Sequence, residues 1–393
     1  MGRGAQRLKG REQGAGSVAA VTSKIVSAAR SLDGLVRAAS DDGERARRLP
    51  DELVTALRDA SLLRMCVPAV YGGPEVDPLS LMEAIEAVAQ ADGAAGWCVM
   101  IASTTSSLAS YLPREYAAEI YGNPRAITGG AFAPGGRGVA VDGGHRVTGR
   151  WGWGSGTAHC DWIVGGTRTD ADEFHVMFFP AGDVTIVDTW YATGLRGTGS
   201  NDFTVDGVVV PAGRSVELLR ATRHEPSPLG RFPNFSLLAC GVASSLLGIA
   251  RRAVEEIVLL AGQKTPMFAP KRLSEFAMAQ IEIASAEAAI GAARAFLDHE
   301  VGVAWDLVQA GDPVPVVQRA RIRLACTYAG QEAARAVDRC YHTAGGSAVF
   351  DNNPLQRCFR DVHTATQHLM VSPRMLETFG KIRLGIDVES AML

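Results

Sequence analysis

Apolar residues recur at helical spacing from Val21 to about Tyr121, in short β-type runs from Ala126 to about Val216, and at helical spacing again from about Phe235 onward. In the first stretch Leu53 and Leu57 stand one turn apart, and Ile85 and Val88 follow Leu81 on one helix face. Pro50 suits the first turn of a helix, and Tyr71-Gly72-Gly73-Pro74 breaks the run between two others. The middle stretch predicts strands at Val139 to Val147 around the turn Asp142-Gly143-Gly144, then Asp161 to Gly165, Phe174 to Phe179, Val184 to Val187 and Asp206 to Val210. The last predicts long helices over Leu237 to Leu260, Leu273 to Val301, Pro313 to Thr343 and Ala365 to Ile386. The expected fold is mainly α with a β-domain: a helical domain over 21–125, a small barrel or sandwich over 126–230 and a four-helix bundle over 231–393, after a flexible tail at 1–20. No internal repeat is present.

Composition narrows the function. The chain has 393 residues, 47% of them hydrophobic, which is ample for a core divided among packed subdomains. A formal charge of −3 and the lack of a long basic block give no general attraction for nucleic acid or anionic lipid. The seven cysteines show neither a C-x-x-C pair nor a zinc-type spacing with histidine, so no metal site is expected and they read as reduced thiols in a cytoplasmic protein. No stretch is expected to span a membrane, and the first twenty residues lack the apolar core of a secretory signal.

Three segments carry candidate chemistry. Gly149 to Gly156 places Trp151, Trp153 and Ser155 among glycines at the end of a predicted strand. Trp153 offers a broad apolar face, Ser155 a hydroxyl, and the glycines close backbone approach, a combination suited to a flat conjugated ring such as a flavin. The same residues also suit a hairpin whose tryptophan packs in a core. Gly194 to Asp202 offers backbone N–H groups, hydroxyls and Arg196, suited to phosphate or to a plain glycine-rich turn. Arg360 to His368 carries His363 and His368, which on one regular helix would diverge, so one at most faces a given site. A structural histidine fits equally well there. The chain lacks G-x-G-x-x-G, P-loop, H-E-x-x-H and G-x-S-x-G motifs.

Taken in order, Leu49-Pro50-Asp51-Glu52-Leu53, Tyr71-Gly72-Gly73-Pro74, Trp153-Gly154-Ser155-Gly156, Gly194 to Asp202, and Ala344-Gly345-Gly346 through Arg360-Asp361 resemble the acyl-CoA dehydrogenase superfamily over nearly the whole chain. The spacing of Trp151, Trp153, Ser155, His159 and Trp162, with Arg360-Asp361-x-His363 and His368, resembles its two-component flavin-dependent monooxygenases. That resemblance implies helical, β and four-helix-bundle domains, a homotetramer, and reduced FMN or FAD delivered by a separate NAD(P)H-dependent reductase. It further implies that a C4a-hydroperoxyflavin hydroxylates a small hydrophobic ring-containing substrate with O2 as cosubstrate.

By the same resemblance Trp153 packs against the isoalloxazine, Gly156 lies beside it and Ser155 bonds near flavin N5. The flavin phosphate is met by Arg196, Thr198 and Ser200, by Lys264 or Arg272, and by Gly345 and Gly346. The base of the dehydrogenases is missing: Leu369 stands where the late glutamate would fall, and Asn234 to Gly248 contains no Asp or Glu. His368 fits an oxygenase role in its place, with His363 as a second candidate. Trp97 and Thr105 would meet the substrate, Thr105 standing where phenol-hydroxylating relatives tend to carry histidine. The alternatives are an acyl-CoA dehydrogenase or oxidase with a displaced base, and a non-catalytic flavin or ligand carrier.

Overall fold

The computed structural model describes residues 23–220, 222–225 and 227–393; the expected tail at 1–20 lies outside them. The first layer is helical: α1 (23–31), α2 (Asp33–Ala46), α3 (Asp51–Asp59), α4 (Pro78–Ala91), α5 (Gly93–Ser106) and α6 (Arg114–Tyr121). Local chemistry sets the starts that matter for the site. Pro78 opens α4 behind Asp77, whose carboxylate accepts from Ser80 N–H at 3.0 Å, and Asp92 caps α5 by accepting from Ala95 N–H at 2.8 Å. Almost every residue of α5 is buried, so this helix runs through the interior.

The β-layer comprises β1 (Thr128–Val141), β2 (Gly144–Gly154), β3 (Trp162–Thr169), β4 (Phe174–Pro180), β5 (Thr185–Val187), β6 (Asn201–Pro211) and β7 (Ser215–Val216). They form one continuous seven-stranded ladder in the order β5-β6-β2-β1-β3-β4-β7, whose two halves close over a shared cluster of Trp151, Phe179 and Phe203 in the manner of the expected small barrel or sandwich. The join is β1. It pairs antiparallel with β2 and parallel with β3, so the two halves of the domain share one continuous ladder, with register shifts between Ala131 and Gly136. Side chains alternate between two cores. Ile163, Met177 and Phe179 join Trp151 and Phe203 in a cluster private to the sheet, while Val164, Val176 and Phe178 face the main helical core.

The last layer is built on α8 (Asn234–Gln263), α9 (Ala277–Ala310) and α10 (Val316–Ala344), preceded by the short α7 (Pro228–Arg231). Contrary to the expectation from sequence, α8 is long and apolar enough to cross a membrane, but 83% of its most apolar window is buried against its neighbours, as in a core helix. The predicted fourth helix over 365–386 is not continuous. Instead α11 (Pro354–Ala365) ends, residues 366–373 turn, and α12 (Arg374–Arg383) resumes. His368 and Ser372 are extended, and the proline at 373 disfavours helical backbone in the residue before it. This break places His368 on a turn packed against α8 and α10.

Candidate active site

At the end of β2 the chain does something costly. Trp153 adopts φ +65°, a left-handed conformation that a bulky side chain occupies only when its surroundings hold it there. The residue is 67% exposed, and its ring meets that of Trp190 in a T-shaped contact, centroids 5.5 Å apart. Trp151, two residues earlier, is 1% exposed, stacks on Phe203 and donates its Nε1–H to Gly166 O at 2.6 Å. Trp151 is therefore the core tryptophan of the hairpin, and Trp153 is the open platform. Gly156 follows at φ +69°, its N–H donating to Thr198 O at 2.8 Å, which ties the strand end to the 194–200 loop.

Ser155 is buried and sits at one end of a hydroxyl chain. Trp97 Nε1–H donates to Ser155 Oγ at 3.2 Å; Ser155 and Ser200 hydroxyls are 2.7 Å apart, Ser200 and Thr198 hydroxyls 2.6 Å, and Thr198 Oγ1 donates to Leu195 O at 2.7 Å. The structure thus gives Thr198 and Ser200 partners within the protein. Both are buried, and their hydroxyls line up behind Ser155. Behind Ser155 lies an apolar cavity of about 10 Å³ lined by Cys98, Ile101, Ala102 and Ile127, room for a single water.

His368 reaches the same place from the turn between α11 and α12. Its ring packs edge-on against Trp97, centroids 5.5 Å apart, and its Nδ1 accepts from Met370 N–H at 3.3 Å. That bond leaves the remaining ring proton on Nε2. Burial, reinforced by the Arg323 guanidinium, pushes the imidazole down to about 4, so His368 is a neutral N–H donor at pH 7. Trp97, Ser155 and His368 are accordingly brought together.

The other candidates fall elsewhere. His363 lies between α10 and α11, its Nε2 2.8 Å from Asp338 Oδ1 and its ring against Phe359, half-exposed; the helix break sets it apart from His368. Lys264, Gly345 and Gly346 gather where α8 and α10 end, with Lys264 Nζ donating to Ala344 O at 2.6 Å. None of the contacts of Trp97, Ser155 or His368 reaches that cluster. Arg272 opens the turn before α9. Arg196 lines a small cavity with Glu44, Asp92, Arg357 and Asp361, its Nε unpaired. Thr105 is buried two turns beyond Trp97 on α5.

Two supports escaped the sequence reading. Arg323 donates to Met370 O at 3.3 Å and to Met392 O at 2.5 Å, anchoring the turn that carries His368. Asp361 accepts from Leu195 N–H at 2.5 Å and thereby fixes the residue on which the hydroxyl chain ends. Burial, then the neighbouring Asp92 charge, push its carboxyl up to about 7. The Arg360-Asp361 pair was visible in the sequence, but its partner 166 residues away was not.

This arrangement has relatives. Residues 27–118 match the acyl-CoA dehydrogenase N-terminal domain and residues 240–373 its C-terminal domain. The chain is 33% identical to an indole-3-acetate monooxygenase of Pseudomonas putida, covering 90% of this chain and 92% of that protein. It is 28% identical to the oxygenase subunit HsaA of a flavin-dependent monooxygenase of Rhodococcus jostii, covering 92% and 99%. The structure of XiaF from Streptomyces in complex with FADH2 and glycerol superposes with a TM-score of 0.88 at 27% identity, covering 95% of this chain and 98% of that one. The chain belongs to the acyl-CoA dehydrogenase superfamily, in its flavin-dependent monooxygenase branch, as the oxygenase component of a two-component enzyme.

Proposed function

We propose that this chain takes reduced FMN or FAD from a separate NAD(P)H-dependent reductase and, with O2, hydroxylates a small hydrophobic ring-containing substrate at the Trp153–Ser155 end of β2. The carrying observation is the convergence of an exposed tryptophan held at left-handed φ, a buried serine hydroxyl and a neutral histidine around Trp97. These residues fit a flavin: Trp153 supplies a stacking face, and Ser155 supplies hydrogen bonding within a buried network. Reduced flavin supplies the two electrons that let one atom of dioxygen enter the substrate while the other leaves as water.

Each residue then has a defined task. Trp153 binds the ring, Trp97 orients Ser155, and the neutral Nε2–H of His368 donates to an oxygen atom without itself releasing a proton. Ring-containing substrates of relatives, indole-3-acetate and resorcinol among them, support the substrate class. The FADH2 complex of XiaF supports reduced FAD. Dehydrogenation of an acyl-CoA needs a carboxylate free to take an α-proton. Asp361, the carboxyl raised to about 7, is instead buried and bonded to Leu195 N–H.

The same reading extends to assembly as a homotetramer. Met267 and Phe268, 83% and 99% exposed in the connection between α8 and α9, support burial of that face against another copy. Light scattering at the tetramer mass is expected, and a monomer contradicts it.

Stopped-flow mixing of the protein with reduced flavin and O2 tests the function. The expected result is a long-lived near-ultraviolet absorbance of oxygenated flavin and, with indole-type or phenolic compounds, hydroxylated product. Ser155→Ala or His368→Ala shortens that lifetime and diverts turnover to hydrogen peroxide. Peroxide release at the rate of free flavin by the unaltered protein contradicts the reading, as does anaerobic flavin reduction by an acyl-CoA.

A further inference from the structure

The hydroxyl chain behind Ser155 has only one direction. Leu195 O is a carbonyl and can only accept; besides Trp190 Nε1–H and Thr198 N–H, each at 3.1 Å, it lies 2.7 Å from Thr198 Oγ1, an oxygen–oxygen contact that only the Thr198 hydroxyl proton can bridge. The single hydroxyl proton of Thr198 is spent there, so across the 2.6 Å contact Ser200 must donate to Thr198. The proton of Ser200 is spent in turn, so across the 2.7 Å contact Ser155 must donate to Ser200. Trp97 Nε1–H occupies one lone pair of Ser155 Oγ. One acceptor position remains on that oxygen, and no donor.

The far end of the chain is held as firmly. Leu195 sits at φ +50°, its N–H bonded to Asp361 on α11, whose neighbour Arg360 donates to Thr193 O at 2.6 Å. Thr198, Ser200 and Ser155 are all buried, so no bulk water competes to reverse the chain. Reversing it would leave Thr198 without its bond to Leu195 O.

We infer that Thr198 and Ser200 are specificity residues: they polarise Ser155 as an acceptor, so that the site selects reduced over oxidised flavin. This rests on the flavin reading above. Reduced flavin carries a hydrogen on N5 and can donate to Ser155 Oγ; oxidised flavin presents N5 as a bare acceptor and meets a lone pair. A component that receives reduced cofactor from a separate reductase gains from this polarity, since spent flavin is bound less well than fresh.

Affinities of the full-length protein for oxidised and, under anaerobic conditions, reduced FAD and FMN test the inference by equilibrium titration. The unaltered protein is expected to bind the reduced form more tightly. Ser200→Ala frees the Ser155 proton directly. Thr198→Val frees it by letting Ser200 turn and donate to Ser155. In both variants the reduced-to-oxidised preference is expected to fall about 3- to 10-fold, chiefly through tighter binding of oxidised flavin, the range that one hydrogen bond commands. Thr198→Ser keeps the hydroxyl and is expected to keep the preference. An unchanged ratio in Ser200→Ala and Thr198→Val, both folded by circular dichroism, overturns the inference while leaving the flavin reading intact. Failure of the unaltered protein to bind either form overturns both.

Discussion

Trp151 and Trp153 stand two residues apart on β2, and strand periodicity alone would put them on the same face. One is sealed under the sheet against Phe203; the other faces solvent beside Trp190. The difference arises at the register shift between Trp151 and Gly154 in the pairing with β6, where Trp153 turns to positive φ and re-aims its ring. On the proposed reading, stability and function are thereby divided between two identical side chains. The sealed region is built for the ring it holds: a Cβ on Gly136 would lie 2.4 Å from Trp151 Cζ2. The open region leaves a broad indole face uncovered, the surface to which the proposed reading assigns the flavin ring.

Replacing each tryptophan should separate the two regions most widely. Trp151→Ala removes a fully buried indole and its bond to Gly166 O, and is expected to cost about 3–5 kcal/mol by urea denaturation. Trp153→Gly should leave stability unchanged or raise it by up to about 1 kcal/mol, because glycine relieves the positive φ. The same change should weaken binding of reduced flavin about 10- to 100-fold, from the stacking area lost. A destabilised Trp153→Gly protein with intact flavin affinity would break the comparison.

Acid titration sharpens it next, because the open region still contains a desolvated imidazole. The folded value of His368, about 4, lies below the ordinary 6.5, so its contribution to stability is present above pH 6.5 and lost as pH falls toward 4. His159, pushed down to about 4 mainly by burial, acts in the same window. Asp361 runs the other way: raised to about 7 from 3.8, it favours the fold at low pH and loses that contribution as pH rises through 7. His368→Gln should flatten the rise of the urea midpoint between about pH 4 and 6.5, and Asp361→Asn should remove the opposing fall between about pH 4 and 7. Shifts of a few degrees in Tm are expected from each.

The smallest effect belongs to the second histidine of the pair. His363 makes a half-exposed contact with Asp338, so His363→Ala should change stability by under about 1 kcal/mol and leave oxygenation untouched. A loss of coupled turnover in that variant would place His363 in the site.

Helices and most strands were legible because their signals are local: the Asp142-Gly143 turn closes the β1–β2 hairpin, and α8, α9 and α10 overlap three of the four helices expected. What escaped was long-range. Nothing in the runs themselves shows that β1 pairs with β3, and apolar spacing across 365–386 hides a turn set by Pro373 and by His368 capping it. The candidate site was half legible for the same reason. Trp153, Ser155 and His368 announce themselves by residue type, whereas Arg323 and Asp361 act through backbone groups 47 and 166 positions away.

The most direct test is a crystal structure of the protein grown anaerobically with reduced FAD. The account predicts the isoalloxazine lying against Trp153, with N5 within hydrogen-bonding distance of Ser155 Oγ and His368 Nε2 facing the reacting edge. A ring bound elsewhere, or N5 facing a carboxylate in place of Ser155, would contradict it.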